Sequence, residues 1–119
     1  MNGKELETIF NQLTDYISSV SMVLRVASKN SRKEFSQLLN EKFQWQVSAR
    51  VISDIEMGRQ KISFAQFKSI CEATGCRVEG ALEVAALAKQ KEARPKKELL
   101  KETLRECEYQ IWKTQQCGD

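Results

Sequence analysis

Apolar residues recur every three or four positions along nearly the whole chain, which is the spacing of one face of an α-helix. Alternation of apolar and polar residues, the pattern of a half-buried strand, is almost absent. The 5 Gly residues and the single Pro leave few breaks in the helical pattern. The sequence therefore predicts an all-α fold.

The segment from Val47 to Gly58 predicts a short helix with two different faces. At helical spacing its apolar residues fall on one side and its polar residues on the other. Ser48 stands at the N-cap position and Gly58 at the left-handed position that ends a helix, so the helix is about ten residues long. The apolar face comprises Val47, Ile52 and Ile55, the outward face comprises Arg50, Ser53, Asp54 and Met57, and Ala49 lies at the margin.

A second helix is predicted directly before this one. Residues 31–34 have the Ser-x-x-Glu form of a capping box, and apolar residues follow at helical spacing. Residues 44–46 are too few to form an element of their own, so the two helices must cross steeply and share a core. The residues expected in that shared core are Phe35, Leu39, Trp45, Val47, Ile52 and Ile55.

Together these features resemble the helix-turn-helix domain of the phage-repressor and Cro-like family, often called XRE-like. The resemblance rests on the Ser-Arg-Lys-Glu-Phe start of the first helix, the Val-Ser turn, the Ile-Ser-Asp-Ile-Glu-Met-Gly ending and the helix expected over residues 61–75. It extends over roughly residues 24–80, and the longer helix before the turn departs from the shortest versions of the motif. It implies a lambda-repressor-like bundle of about five helices, here with an extended N-terminal helix and an extra C-terminal helix.

The resemblance also implies a structural ion pair between Arg25 and Glu56, which occupy the family's positions for an arginine and an acidic residue. Binding of Arg25 to a phosphate is the alternative. Pairing is favoured because a half-buried Glu56 without a partner would destabilise the fold.

Members of this family place the N-terminal part of the second helix in the major groove of double-stranded DNA. Arg50 is the best candidate for reading a base, because a guanidinium can donate two hydrogen bonds to guanine; a solvated arginine paired with Asp54 is the alternative. Asp54 either accepts a hydrogen bond from a cytosine amino group or orients Arg50. Ala49 and Val51 are small and apolar and suit contact with a thymine methyl group, but Val51 is equally suited to packing at the rim of the interface. The expected base-contacting residues are Ala49, Arg50, Val51, Ser53 and Asp54. The expected backbone-contacting residues are Arg32, Lys33, Ser48, Arg59, Gln60 and Lys61.

Three segments are expected: an N-terminal helical extension over residues 1–21, the DNA-binding domain over 22–88, and a charged linker with a C-terminal helix over 89–119. Apolar residues in the last helix follow a four-three-four spacing that is too short for a stable coiled coil alone. This helix therefore packs on its own domain or on a second copy, and the N-terminal helix is the rival dimer element. The possible dimer seam comprises Leu100, Leu104, Cys107 and Ile111, widened by Leu99 and Trp112. Lys96 and Lys97 form either a solvated linker or a second basic patch.

Composition narrows the function further. The net charge of +3 is low for a nucleic-acid binder, but residues 31–80 carry eight basic against six acidic side chains, and a dimer doubles the phosphate contacts. The 4 Cys residues come without His or a Cys-x-x-Cys pair, which argues against a metal site. No catalytic constellation is visible, so neither an enzyme nor a cofactor is expected. The chain lacks a long apolar run and a signal-peptide pattern, which favours a cytoplasmic location.

The sequence thus favours a cytoplasmic transcriptional regulator, a repressor that binds an inverted-repeat operator in double-stranded DNA as a homodimer. Neither a membrane nor a small-molecule ligand is expected as a partner. The alternative is an antitoxin or adaptor, in which the helix-turn-helix fold is a scaffold and the terminal helices bind another protein.

Overall fold

The computed structural model describes residues 2–91 and 96–117. Within these residues the chain forms seven α-helices and no strand, which confirms the all-α prediction. Five of these helices lie within residues 14–90, and one further helix on each side, over residues 3–12 and 96–117, brings the number to seven. The N-terminal stretch is divided into two helices at Leu13. None of the described helices is both long and apolar enough to cross a membrane. The helices are α1 (Gly3–Gln12), α2 (Thr14–Ala27), α3 (Arg32–Phe43), α4 (Ala49–Glu56), α5 (Phe64–Thr74), α6 (Val78–Gln90) and α7 (Lys96–Cys117).

Polar side chains and a glycine fix the ends of helices α3 and α5. Ser31 Oγ accepts the backbone N–H of Glu34 at 3.0 Å, and the Glu34 carboxylate accepts the backbone N–H of Ser31 at 2.8 Å. This backbone hydrogen bond from Ser31 lowers the pKa of Glu34 below its ordinary value. Ser63 and Gln66 form the same capping box at the start of α5. Gly75 ends α5 with a φ of +74°, a left-handed conformation that glycine adopts without steric cost.

Helix α2 lies at the centre of the fold, in contact with α1, α4, α5, α6 and α7. Its residues Val20 and Leu24 are fully buried, and Phe35, Leu39 and Phe67 are fully buried on the helices around it. Complete burial of one such side chain stabilises a fold by about 1.5–3 kcal/mol. The apolar side of α2 therefore lies at the centre of the core.

Helices α1 and α7 pack on this same core. The Phe10 ring of α1 lies against the rings of Phe64 and Phe67, with centroids 5.4 and 5.5 Å apart. Helix α7 contacts α2 and α6. The segment boundaries expected after residues 21 and 88 fall inside α2 and α6.

The possible dimer seam faces the chain's own core. Cys107 and Ile111 are buried, and Leu100 and Leu104 are partly buried against the core cluster. The structure therefore places α7 on its own domain, which is the first of the two alternatives. An amphipathic helix buries its apolar stripe on an available apolar surface, which α2 and α6 supply here. The side chains of Leu99, Lys96, Lys97 and Cys117 lie outside the described residues.

A buried hydroxyl in α2 offers a test of the packing between α2 and its neighbours. Ser21 is 2 % exposed, and its Oγ has no hydrogen-bond partner among the described residues. We expect Ser21→Ala to raise the free energy of unfolding by about 1 kcal/mol, because it removes an unpaired buried hydroxyl and introduces a better helix former. Urea denaturation measures the change.

Ser36→Ala is the matched control for Ser21→Ala. Ser36 is also a buried helical serine, but its Oγ donates to the Lys33 carbonyl oxygen at 2.8 Å. Both substitutions gain the same helix propensity, while only Ser36→Ala removes a hydrogen bond. Equal changes for the two variants would show that the Ser21 hydroxyl is not unpaired.

Three cysteines lie in the core as free thiols: Cys71, Cys76 and Cys107 are all buried. Burial disfavours the thiolate and raises the pKa of all three thiols, that of Cys76 from its usual value near 9 to about 11. Cys71 is fully buried on α5. These thiols are consequently poor nucleophiles at neutral pH.

Alkylation and alkaline unfolding test the state of these thiols. We expect iodoacetamide at pH 8 to leave Cys71, Cys76 and Cys107 unmodified in the folded chain and to label them in urea, as read by mass spectrometry. Because the folded pKa of Cys76 is raised, its contribution to stability is complete below pH 9 and is lost as the pH rises toward about 11. Cys76→Ala should therefore flatten the fall in the urea midpoint over that interval, and an unchanged slope would contradict the assignment.

Candidate nucleic-acid interface

Helices α3 and α4 are joined by residues 44–48, a longer connection than the three residues expected. Helix α3 ends at Phe43 because Gln44 adopts a left-handed conformation with a φ of +59°. The Asn40 side chain then holds the connection: its Nδ2 donates to the Val47 carbonyl oxygen at 2.8 Å, and its Oδ1 accepts the Val47 N–H at 3.0 Å. Helix α3 thus ends just before the expected connection, which is longer because α4 begins only at Ala49. Sequence patterns do not reveal this role of Asn40, since nothing in its spacing marks a partner seven residues away.

Helix α4 has the two faces that the sequence predicts. Ile52 and Ile55 are buried, and Trp45 and Val47 in the connection are partly buried against the core cluster. Ser48 caps the helix, its Oγ accepting the Val51 N–H at 3.4 Å. Gly58 follows the helix with a φ of +77°, as expected of the residue that ends it. Of the outward residues, Arg50 and Met57 are exposed, and Ala49, Val51, Ser53 and Asp54 are partly exposed.

The carboxylate of Glu56, the last residue of α4, connects this helix to α2 and α3. Arg25 of α2 donates to it through Nε at 2.6 Å and Nη2 at 3.1 Å. Arg25 also donates through Nη1 to the Asn30 carbonyl oxygen at 2.9 Å. The side chains of Arg25 and Glu56 are 11 % and 2 % exposed, so this is a buried bidentate ion pair. The structure thus brings together the two residues that the resemblance pairs.

Arg32 is a second partner of Glu56. Its Nε donates to Glu56 Oε1 at 3.1 Å, and its side chain is 40 % exposed. The sequence indicates Arg32 only as a phosphate contact, and it gives no sign of this pairing because the two residues stand 24 positions apart. The first turn of α3 is thereby tied to the last turn of α4.

Asp54 pairs with Arg59 and not with Arg50. Its Oδ1 accepts a hydrogen bond from Arg59 Nη1 at 3.2 Å, and its carbonyl oxygen accepts the N–H groups of Arg59 and Gln60 at 2.8 and 3.2 Å. The expected clamp between Asp54 and Arg50 is therefore wrong. The reversal of the chain at Gly58 brings the following loop back over the end of α4, and this places a closer arginine beside Asp54.

Arg50 projects from the second position of α4 and forms no ion pair with any described residue. The other expected backbone contacts, Lys33, Gln60 and Lys61, are exposed, as is Ser48. The N-terminus of α4 adds free N–H groups and a partial positive charge. This surface therefore presents basic side chains and backbone donors around a helix whose opposite face is fixed in the core.

Comparison of the chain with protein-family models, with curated proteins and with solved structures gave no match. A functional conclusion must therefore depend on the geometry of α3, α4 and the loop that follows.

Proposed function

We propose that this chain is a cytoplasmic transcriptional regulator of the helix-turn-helix, XRE-like kind, which represses by binding an operator in double-stranded DNA. One observation carries this proposal: α4 has one face buried in the core and one face turned outward. Arg50, near the start of the outward face, is exposed and forms no ion pair with a described residue. A helix fits the major groove, and an arginine early in it can donate two hydrogen bonds to guanine O6 and N7.

The ion pairs support the proposal because they orient α4 before DNA is bound. Glu56 ties the end of α4 to α2 and α3 through Arg25 and Arg32. A reading helix held in place loses less conformational entropy on binding. Arg59 partly neutralises Asp54, which reduces the repulsion between this carboxylate and DNA phosphates.

Phosphate contacts would come from the exposed side chains at the edges of α3 and α4. Lys33 lies in the first turn of α3, and Gln60 and Lys61 lie in the loop after α4. Arg32 and Arg59 are shared with carboxylates and retain exposed side chains, 40 % and 65 % respectively. Such contacts fix the position of a protein on the duplex without reading its sequence.

The proposed homodimer requires a surface other than the seam in α7. Helix α1, the rival element, leaves Leu6 and Ile9 partly exposed, where they line a cavity of about 200 Å³ together with Leu82 and Ala86 of α6. We place the contact between copies at this apolar surface. Two copies would present their α4 helices to successive major grooves of an inverted repeat.

An antitoxin or adaptor is the second candidate. Exposed aromatic residues on α7 favour it, since Tyr109 and Trp112 are 51 % and 54 % exposed, and aromatic side chains are enriched in protein interfaces. In that case α4 would be a scaffold element, and substitution of Arg50 would leave complex formation unchanged.

Selection of bound duplexes from a random pool at near-physiological salt tests the proposed function. We expect enrichment of an inverted repeat whose half-sites lie about one helical turn, or 10–10.5 base pairs, apart. Sedimentation of the complex should give two copies of the chain per duplex. Failure to enrich any sequence would reject the regulator and favour the second candidate.

A further inference from the structure

An open groove of about 710 Å³ lies away from α4, where the loop between α2 and α3, the C-terminal end of α5 and helix α7 meet. Its walls are formed by residues 27–30, residues 72–75 and the side chains of Glu108, Ile111 and Trp112. No residue of α4 lines it. The volume lies within the range of about 300–1,000 Å³ that is typical of ligand-binding clefts.

The groove is acidic, although the chain as a whole carries a net charge of +3. Glu72 of α5 and Glu108 of α7 both line it, and neither forms an ion pair with a described residue. Helices α2 and α5 both end at the groove, and helix C-termini carry a partial negative charge. Lys29 is the one basic side chain among the described residues that line the groove. This balance of charge favours a cationic ligand.

Two exposed aromatic side chains, those of Trp112 and Tyr109, lie at this groove. Trp112 lines it, and the Tyr109 ring lies beside the Trp112 ring with centroids 6.0 Å apart. Both side chains are more than half exposed. An indole is the aromatic group that attracts Lys and Arg side chains most strongly, and aromatic residues dominate the binding energy of many interfaces. The groove thus combines carboxylates with an apolar surface suited to cations.

We propose that this groove is a docking site for a basic peptide segment of a partner protein. A Lys or Arg side chain of the segment lies on the Trp112 ring, and neighbouring basic side chains pair with Glu72 and Glu108. No residue of α4 lines the groove, so the partner and DNA do not compete for the same side chains. This inference is independent of the proposed regulator function.

Titration of the isotope-labelled full chain with a short peptide of glycine, lysine and arginine, followed by NMR, tests the docking site. We expect the Trp112 indole signal and the backbone signals of residues 27–30 and 72–75 to shift, and a peptide with glutamate in place of the basic residues to shift none. Substitution of both Glu72→Gln and Glu108→Gln should weaken binding about tenfold, since two ion pairs with exposed carboxylates are lost. Trp112→Ala should weaken it similarly.

Glu41→Gln is the matched control, because Glu41 is an exposed glutamate of α3 that does not line the groove. Glu41→Gln and Arg50→Ala should both bind the peptide with the affinity of the wild type. The proposal is overturned if the shifts spread over the surface, or if Glu41→Gln weakens binding as much as the groove variants. It is also overturned if the groove signals move with chain concentration in the absence of peptide, which would identify a second copy as the occupant.

Discussion

Glu56→Ala is expected to lower the free energy of unfolding by about 3–5 kcal/mol, because it leaves the guanidinium of Arg25 buried without its partner. The pair is bidentate, with distances of 2.6 and 3.1 Å, and the Glu56 side chain is 2 % exposed. Replacing one member of such a pair removes the favourable interaction while the desolvation of the other charge remains. Urea denaturation followed by circular dichroism measures the loss.

Two further variants separate this pair from an ordinary surface contact. Arg32→Ala should cost about 1 kcal/mol or less, because the Arg32 side chain is 40 % exposed and water screens its interaction with Glu56. Arg25→Met combined with Glu56→Leu should recover most of the stability lost in Glu56→Ala, since neither buried charge then lacks a partner. If Glu56→Ala cost no more than Arg32→Ala, the buried pair would not be what holds α4.

Arg50→Ala is expected to weaken operator binding by about 1–3 kcal/mol for each copy of the chain, the range measured for a bidentate contact with guanine. Arg50 is exposed and forms no ion pair with a described residue, so its removal should leave the fold and its stability unchanged. Binding of the selected duplex, measured by fluorescence anisotropy at fixed salt, gives the effect. Unfolding in urea provides the check on stability.

Arg105→Ala is the matched control for charge, because Arg105 is an exposed arginine on α7, remote from the expected interface in sequence. It removes the same charge and should leave operator affinity within a factor of about two. Lys61→Ala should weaken binding to all sequences alike and reduce the salt dependence, as a phosphate contact does. Equal losses of operator affinity for Arg50→Ala and Arg105→Ala would show that Arg50 contributes only its positive charge and does not read a base.

Local features of the fold could be predicted from sequence because their causes are local. A serine followed three positions later by a glutamate or glutamine satisfies free backbone groups within one turn, and the capping box at Ser31 formed as expected. Gly58 ends its helix by adopting a left-handed conformation that other residues disfavour. The buried and exposed faces of α4 follow in the same way from helical periodicity.

The ion pairs at the C-terminal end of α4 depend on tertiary contacts and were predicted less well. Helical spacing places Arg50 one turn from Asp54, yet the loop after Gly58 supplies Arg59 as the partner. Arg32 approaches Glu56 only because α3 crosses α4. The pairing of Arg25 came from the resemblance, since periodicity alone does not join residues of separate helices.

The position of α7 also depends on tertiary contacts that the sequence pattern does not reveal. A four-three-four stripe of apolar residues is equally compatible with a partner helix in another copy and with docking in its own chain. Burial of Cys107 and Ile111 against the chain's own core decides between them. The apolar surface that α2 and α6 leave for α7 exists only once those helices are packed, so the sequence pattern does not contain it.

The most direct test of base reading by α4 is the affinity of the wild type and of Arg50→Ala for the selected operator and for duplexes with one base pair changed in each half-site. We expect the wild type to discriminate at every position of the half-site, whereas Arg50→Ala should lose discrimination at one position and keep it elsewhere. A variant that binds all duplexes more weakly but retains the preference at every position would contradict the claim that Arg50 reads a base.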